Sequence, residues 1–235
     1  MFNKRKLRNL QKSARSLIAH DNPKSIVSEQ FRTIRTGIDF SLPDKELETL
    51  LITSSAPGEG KSTVSANTAI VFAQNGKKVL LVDTDMRKPS VHYTFALQNT
   101  MGLTDVLAKK MTLQEAVRAI DIENLDILTC GPLPPNPAEL LGSKAMEALI
   151  EAMKEQYDLI VFDTPPILSV TDGLVLANKC DGVIVVVRSG KTEKTNIVKT
   201  KEALLQAKAN IFGVVLNDFE LTKDHYYYNY YGVDE

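Results

Sequence analysis

Short runs of Val, Ile and Leu alternate along the chain with stretches of helical periodicity. The runs predict strands at 49–53, 78–82, 125–129, 159–162, 183–187 and 212–216, and the intervening stretches predict helices at 62–75, 144–156, 172–178 and 194–208. Because the runs are apolar on both faces, they are typical of the buried strands of a parallel sheet. This alternation predicts an α/β fold with a doubly wound, mostly parallel sheet, in which ligands bind at the carboxyl ends of the strands.

The composition along the chain divides it into three predicted parts, an arm, a domain and a tail. Residues 1–21 are basic and polar and predict a flexible arm, and residues 220–235 have no aliphatic stripe and predict a flexible tail. The domain spans 22–219 and opens with a helix at 22–41, in which Asn22 and Pro23 have the residue types of an N-cap and a first helical position. The proline-rich stretch 132–137 predicts a stiff surface loop.

Composition excludes several classes of protein. The chain of 235 residues is 43% hydrophobic and 24% charged, which is typical of soluble globular proteins and excludes a largely disordered chain. No aliphatic run approaches the roughly 20 residues of a membrane-spanning helix, and the charged first residues do not fit an export signal. Cys130 and Cys180 form no metal-binding pattern, so we interpret them as small buried hydrophobic residues.

The net charge of −1 conceals an uneven distribution of charged and aromatic residues. Six basic residues and no acidic residue lie within the first 20 positions, whereas the last 18 positions are acidic. Five of the seven tyrosines fall within the last ten residues, at Tyr226, Tyr227, Tyr228, Tyr230 and Tyr231. This cluster needs a functional explanation.

The strongest motif follows the first predicted strand. The sequence from Ser55 to Thr63, SAPGEGKST, matches a Walker A loop except that Ser55 replaces the leading glycine. Such a loop binds nucleotide phosphates through its backbone N–H groups and the following helix N-terminus, here over Gly58, Glu59, Gly60, Lys61, Ser62 and Thr63. Lys61 reaches the β- and γ-phosphates, and the Ser62 hydroxyl is a Mg²⁺ ligand.

Two carboxylate motifs follow later strands. Asp83 and Asp85 lie two positions apart after the second strand, so their side chains share one face if the strand geometry continues. Asp163 ends the fourth strand in the manner of a Walker B residue and is expected to help hold Mg²⁺. The alternatives are an Asp-rich turn for the first motif and a helix cap for the second.

These motifs together resemble the bacterial protein-tyrosine kinases, which are built on a P-loop ATPase fold of the MinD/ParA-like class. Further resemblances are SEQFRTIR (28–35), DTDMRKP (83–89), GPLPPNPAELL (131–141) and the terminal tyrosine cluster, and together they cover residues 22–235. The HRD and DFG motifs of eukaryotic-type kinases are absent from the sequence.

The resemblance implies phosphoryl transfer from ATP to the hydroxyl group of tyrosine. Lys61 and Ser62 would hold ATP and Mg²⁺, with Ser62, Asp85 and Asp163 as the metal site. Asp83 would accept the tyrosine proton, an assignment that can be exchanged with Asp85. Asn217, after the last strand, occupies a position where related ATPases contact adenine, although a turn residue explains it nearly as well.

The resemblance also implies partners. Glu29, Arg32 and Arg35 match the ExxRxxR motif with which the family builds ring-shaped homo-oligomers, so that one subunit's tail reaches its neighbour's site; a solvated helix face is the alternative. With no membrane-spanning stretch, the chain resembles the split form of the family. That form is cytoplasmic and is activated at the membrane by a separate transmembrane protein of the polysaccharide co-polymerase type. Other tyrosine-containing proteins, a counteracting tyrosine phosphatase and a link to exopolysaccharide production are expected as well.

Two other functions fit a P-loop. One is a partitioning or division-site ATPase, a positioning switch without kinase activity. Such proteins usually carry a second lysine near the start of the P-loop, where this chain has TSSAPG at 53–58, and the switch gives the tyrosine cluster no role. The other is a scaffold with a degenerate site, against which Lys61, Ser62, Asp83, Asp85 and Asp163 argue because all five are intact.

Overall fold

The computed structural model describes residues 17–42 and 45–220. In these ranges seven strands form one sheet: β1 Thr49–Ser54, β2 Val79–Asp83, β3 Arg118–Ala119, β4 Leu125–Leu128, β5 Leu159–Asp163, β6 Gly182–Arg188 and β7 Ile211–Asn217. Their spatial order is β3-β4-β2-β5-β1-β6-β7, and every neighbouring pair is parallel except β3 with β4. The predicted fold class and the six predicted strands are confirmed. The sequence did not predict β3, because two residues are too few to show a pattern.

Ten helices of the described residues connect these strands. They are α1 Ile18–Asp21, α2 Ile26–Asp39, α3 Lys61–Gln74, α4 Val91–Thr94, α5 Leu103–Leu107, α6 Leu113–Ala116, α7 Pro137–Leu141, α8 Lys144–Lys154, α9 Asp172–Ala177 and α10 Lys194–Gln206. The four predicted helices after residue 60 correspond to α3, α8, α9 and α10. The predicted proline-rich loop ends one residue early, since Pro137 is the first residue of α7, a position that proline favours because its missing N–H is not needed there.

Helices cover both faces of the sheet, which explains why its strands lack polar faces. Leu50 and Ile52 of β1 belong to one buried cluster with α2 and α3, whereas Leu51 belongs to the other with α8, α9 and α10. Successive residues of a strand point to opposite faces, so a strand covered on both sides must be apolar throughout. Polar side chains such as those of Asp83 and Asp163 instead lie at the carboxyl ends of the strands.

The beginning of the described chain differs from the prediction in two ways. Residues 18–21 form α1, whose fully buried Ala19 donates its N–H to Asn67 Oδ1 at 2.9 Å, so the arm predicted for 1–21 is wrong for its last residues. The cap of α2 is Ser25 rather than Asn22: its Oγ accepts the Ser28 N–H at 3.1 Å. Asn22 instead follows the last residue of α1.

Other features of the core agree with the sequence. Phe31 and Ile38 of α2 are buried and Ile34 packs against the same cluster, as the helical spacing predicted. Cys130 and Cys180 are buried and unpaired, and burial raises the pKa of both thiols. None of the helices within 17–42 and 45–220 combines the length and apolar character needed to cross a bilayer.

Asp181 ties together the amino ends of β1 and β6, away from the carboxyl edge. Its Oδ2 accepts hydrogen bonds from the N–H and hydroxyl of Thr49, at 2.9 and 2.8 Å, and from the N–H of Glu48 at 3.2 Å. Burial raises the pKa of this carboxyl group, but hydrogen bonds from Lys45 and Thr49 outweigh it, so the pKa lies below its usual range.

Replacing Asp181 with asparagine should therefore destabilise the fold in a pH-dependent manner. A carboxyl group with a lowered pKa stabilises the folded state above its unfolded pKa and loses this effect as the pH falls through its folded pKa. We expect Asp181→Asn to cost about 1–3 kcal/mol of unfolding free energy at pH 7. The difference should begin to shrink below about pH 4, near the unfolded pKa, and vanish only below the lowered folded pKa of Asp181. Urea unfolding measures it, with the exposed Asp121→Asn as control; a constant difference across pH would contradict the assignment.

Candidate active site

Two glycines shape the loop between β1 and α3. Gly58 and Gly60 have φ values of +83° and +95°, which residues with a side chain rarely adopt. Gly60 is also the N-cap of α3, and a Cβ added there would lie 2.0 Å from Nδ2 of Asn217. The loop thus directs backbone N–H groups and the start of a 14-residue helix toward one point, as phosphate binding requires.

Glu59 stabilises the shape of this loop. Its Oε2 accepts from the N–H of Ala56 at 3.0 Å and from the hydroxyl of Ser55 at 3.2 Å, while its Oε1 accepts from the Thr192 hydroxyl at 2.6 Å. The side chain is buried. Ser55, which replaces the expected glycine, therefore takes part in the bracing, and Glu59 turns its carboxylate into the loop rather than toward a ligand.

Lys61 lies between two carboxylates that come from different strands. Its Nζ is 3.0 Å from Oδ2 of Asp85, 3.7 Å from Oδ1 of Asp163 and 3.2 Å from Oγ of Ser62. Burial alone would lower the pKa of the ammonium group, but the charges of Asp163 and Asp85 raise it above its ordinary value. The lysine is therefore positively charged and ready to bind an anion.

Asp163 and Ser62 present oxygen atoms beside this lysine. Asp163 Oδ1 accepts from the Ser65 hydroxyl at 3.1 Å, whereas its Oδ2 is buried without a hydrogen-bond partner among the described residues. Ser62 Oγ lies 3.0 Å from Oγ of Ser90. An unsatisfied carboxylate oxygen next to a hydroxyl group fits a hard cation such as Mg²⁺, which prefers oxygen ligands.

Asp83 and Asp85 have different surroundings, because β2 ends at Asp83 and the chain turns there. Asp83 is fully buried: its Oδ1 accepts from the N–H of Asp85, and its Oδ2 from those of Ser90 and Val91. Burial and the charge of Asp163 raise the pKa of Asp83 to about 7. Asp85 lines the cavity beside the P-loop, together with Lys61 and Ser62.

This cavity has a volume of about 540 Å³. One wall is the P-loop from Pro57 to Ser62, and the opposite wall consists of Pro165, Pro166, Ser169 and Val170 after β5. Between them lie Asp85, Arg87, Lys88 and Ser90 of the loop after β2. The cavity is therefore lined by loops that follow three neighbouring strands, in the order β2, β5 and β1.

Sequence reasoning missed one ion pair of this site. Arg87 donates to the fully buried Asp172 through Nε at 2.8 Å and through Nη2 at 3.0 Å, which is a bidentate contact. It joins the loop after β2 to the start of α9. Arg87 lies within the recognised stretch DTDMRKP, but nothing in the sequence indicated that Asp172, 85 positions away, would be its partner.

Asn217 lies on the other side of the P-loop. Its Nδ2 donates to the carbonyl oxygen of Glu59 at 3.0 Å. Together with Thr63, it lines a second cavity of about 770 Å³, which is bordered by α2 and β7. The predicted adenine contact is thus adjacent to the P-loop, as its position after the last strand suggested, and Asn217 also supports the loop.

The predicted oligomerisation residues lie on α2. Arg32 pairs with Glu29 on the same helix and donates to the carbonyl oxygen of Pro23 at 2.8 Å, while Arg35 donates to that of Val71 at 3.1 Å. The three side chains are therefore engaged within the chain. The tail tyrosines and the basic residues of positions 4–15 lie outside the described residues.

Comparisons with known proteins identify the family. A family model described as an AAA domain matches residues 47–210. Tyrosine-protein kinase YwqD of Bacillus subtilis (strain 168) is 52% identical over 221 residues, which are 94% of this chain and 93% of that protein. The chain belongs to the bacterial protein-tyrosine kinases. The activity of this family is phosphoryl transfer to tyrosine in proteins, so the resemblance drawn from the motifs is confirmed.

Solved structures agree with this assignment. The chimerical protein CapA2B2 is 44% identical with a TM-score of 0.85, covering 87% of this chain and 90% of that one. The kinase domain of the Escherichia coli tyrosine kinase ETK is 34% identical with a TM-score of 0.82, covering 88% and 83%.

The division-site ATPases share the fold at a greater distance. The septum site-determining protein MinD from Pyrococcus horikoshii, solved with Mg-ADP, has a TM-score of 0.63 and 26% identity over 75% of this chain and 72% of its own. This confirms the predicted P-loop fold of the MinD/ParA-like class and implies that the site binds a nucleotide. The higher identity to the kinases decides between the two families.

Proposed function

We propose that this protein is an ATP-dependent tyrosine kinase whose first substrate is its own C-terminal cluster, Tyr226, Tyr227, Tyr228, Tyr230 and Tyr231. The observation that carries the proposal is the position of Lys61 between Asp85 and Asp163 at the P-loop, beside a cavity of about 540 Å³. A site suited to phosphate therefore lies next to an open space suited to an acceptor side chain. The tail then serves as a substrate that the enzyme itself carries.

ATP is the phosphoryl donor, and its phosphates are held by the backbone of 58–63 and by Lys61. Ser62 and Asp163 would hold Mg²⁺, supported by the unpartnered Oδ2 of Asp163, with Asp85 at the edge of the same site. Bound Mg²⁺ supplies charge neutralisation on the transferring phosphoryl group. Lys61 adds a fixed positive charge, so the chain contributes mainly positioning and electrostatic stabilisation.

We assign the proton acceptor for the tyrosine hydroxyl to Asp85 rather than Asp83. Free tyrosine has a pKa of about 10, so a nearby carboxylate assists its deprotonation at neutral pH. Asp85 lines the cavity, whereas both oxygens of Asp83 accept backbone N–H groups inside the protein. In this proposal Asp83 positions the loop that carries Asp85.

Two matched substitutions test this assignment. Asp85→Asn should lower kcat for a tyrosine peptide at saturating ATP by about a hundredfold or more, and its loss of the Lys61 ion pair should lower the melting temperature only moderately, since its side-chain oxygen can still accept the Lys88 N–H. Asp83→Asn should lower the melting temperature more, because its amide nitrogen cannot accept the backbone N–H groups that the carboxylate accepts. If folded Asp83→Asn were inactive and Asp85→Asn active, the roles would be reversed.

Assembly and partners form the next part of the proposal. We propose a ring-shaped homo-oligomer built with Glu29, Arg32 and Arg35 of α2, in which each tail enters the neighbouring subunit's site. The exposed apolar side chains of Val27, Val214 and Leu216 on α2 and the edge strand β7 support an interface on this side of the molecule.

We further propose a transmembrane activator of the polysaccharide co-polymerase type, which would hold the protein at the inner face of the membrane. A tyrosine phosphatase would reverse the modification, and other proteins with accessible tyrosines would be phosphorylated as well. The support is the family resemblance, together with the similarity to the CapA2B2 chimera and to a putative tyrosine-protein kinase in the cps region of Klebsiella pneumoniae. The link to exopolysaccharide production rests on the same resemblance.

Mass spectrometry of the intact protein tests the function directly. After incubation with ATP and Mg²⁺, in the presence of a membrane fraction that contains the activator, we expect up to five added phosphates, all on tyrosines of 226–231. A protein that hydrolyses ATP but acquires no phosphotyrosine would support the positioning ATPase instead.

A further inference from the structure

Three cationic side chains line the cavity beside the P-loop, and two of them have carboxylate partners. Lys61 contacts Asp85 and Asp163, and Arg87 is paired with Asp172. Lys88 also lines the cavity and is exposed, but no ion pair joins its side chain to a carboxylate of the described residues. Its charge is therefore available to a ligand.

The backbone around Lys88 is held in place by the carboxylates of Asp83 and Asp85. Its N–H donates to Oδ1 of Asp85 at 3.0 Å, and two residues later the N–H of Ser90 donates to Oδ2 of Asp83 at 2.8 Å. Pro89 between them restricts the backbone further. The backbone of Lys88 is thus fixed relative to Asp85, the proposed proton acceptor, whereas its long side chain leaves the ammonium group free to adjust to a ligand.

Lys88 and the phosphate-binding loop line the same cavity but come from strands that are not adjacent in the sheet. Lys88 follows β2 and the P-loop follows β1, and β5 with Asp163 lies between these two strands. The positive charges used for ATP are those of Lys61 and the start of α3. A free cation on the β2 side is suited to bind the acceptor peptide, at a residue next to the tyrosine.

We propose that Lys88 is a specificity-determining residue that recognises a negative charge beside the acceptor tyrosine. The substrate class is an acidic or already phosphorylated tyrosine segment. The chain's own tail has this chemistry: it is acidic, and its tyrosines are adjacent, so one phosphotyrosine places about −1.5 to −2 charges next to the following acceptor. Each phosphorylation then improves the next. This inference rests on the proposed kinase function and adds substrate preference to it.

A charge exchange tests the proposal. All proteins carry the five tail tyrosines as phenylalanine, so that only added peptides are phosphorylated, and the activator fraction is present throughout. Three peptides with one acceptor tyrosine are compared, flanked by glutamate, glutamine or lysine. We expect the protein with Lys88 to prefer the glutamate peptide over the glutamine peptide about fivefold in kcat/KM, mainly through KM, which matches an exposed ion pair.

The variant Lys88→Glu should lose this preference and favour the lysine peptide instead. A peptide with one phosphotyrosine beside the acceptor should behave like the glutamate peptide: preferred by the protein with Lys88 and disfavoured by Lys88→Glu. Lys201→Glu, an equal charge change on the exposed surface of α10, should keep the original preference. An unchanged peptide order in Lys88→Glu would overturn the proposal. So would an equal loss for all peptides with a raised KM for ATP, because Lys88 would then bind the nucleotide.

Failure of the kinase function gives a different result. If no peptide gained phosphotyrosine with Lys88 present, the proposed activity would be wrong, and the inference with it. If peptides were phosphorylated without regard to their flanking charge, the activity would stand and only the inference would fall.

Discussion

Substitution of Lys61 by methionine is expected to lower tail phosphorylation by about a hundredfold or more, since one preorganised charge at a transferring group is commonly worth this much. Methionine keeps an unbranched side chain of similar shape but removes the charge that lies 3.0 Å from Asp85 and 3.7 Å from Asp163. The readout is phosphotyrosine on the intact protein after incubation with ATP, Mg²⁺ and the activator fraction.

Two controls make the result of Lys61→Met interpretable. Lys201→Met removes an exposed lysine from α10 and should retain full labelling. The melting temperature of Lys61→Met shows whether the two carboxylates, now without their cation, have unfolded the site. Unchanged labelling in a folded Lys61→Met protein would exclude the proposed role of the P-loop lysine, and labelling confined to serine or threonine would exclude a tyrosine kinase.

Complete phosphorylation of the tail is expected to dissociate the proposed ring. Five phosphates would add about −7.5 to −10 charges to an already acidic segment, so the tail should leave its neighbour's cationic site and the subunits should repel one another. Light scattering should show an oligomer before ATP treatment and monomers after it.

A variant with all five tail tyrosines changed to phenylalanine is the control for the ring. It binds ATP through the same site but cannot acquire the charge, so its mass should stay at the oligomer value after ATP treatment. If the unmodified tail sequence became fully phosphorylated and the oligomer mass persisted, charge would not control assembly. If the variant dissociated with ATP as well, nucleotide binding would be the cause.

The elements predicted correctly are those whose signal is local. The strands β1, β2, β5 and most of β6 are buried on both faces, so each shows in the sequence as a short aliphatic run. The P-loop is equally local, since two glycines lie between the end of β1 and the start of α3. The four catalytic candidates Lys61, Asp83, Asp85 and Asp163 lie at or shortly after the carboxyl ends of strands, and the parallel order of β2, β5 and β1 brings them to one edge.

The features that escaped prediction depend on contacts between distant positions. The Arg87–Asp172 pair and the support of Glu59 by Thr192 join residues 85 and 133 positions apart, and local patterns carry no information about such pairs. The N-cap of α2 was predicted wrongly for another reason. Both Asn22 and Ser25 have side chains that can cap a helix, but it is the hydroxyl group of Ser25 that accepts the N–H of Ser28.

The hydrogen bond from Asn217 to Glu59 fixes the end of β7 to the P-loop. The point from which the tail starts is therefore fixed relative to the phosphate-binding loop. An extended chain spans at most about 3.3–3.6 Å per residue, so covalent geometry limits Tyr226 to roughly 20 Å from Glu220 and Tyr231 to roughly 40 Å. The distance from this starting point to a neighbouring cavity therefore decides which tyrosines can enter it. A wide spacing between subunits would reserve the reaction for the outermost tyrosines, whereas a close spacing would admit the whole cluster.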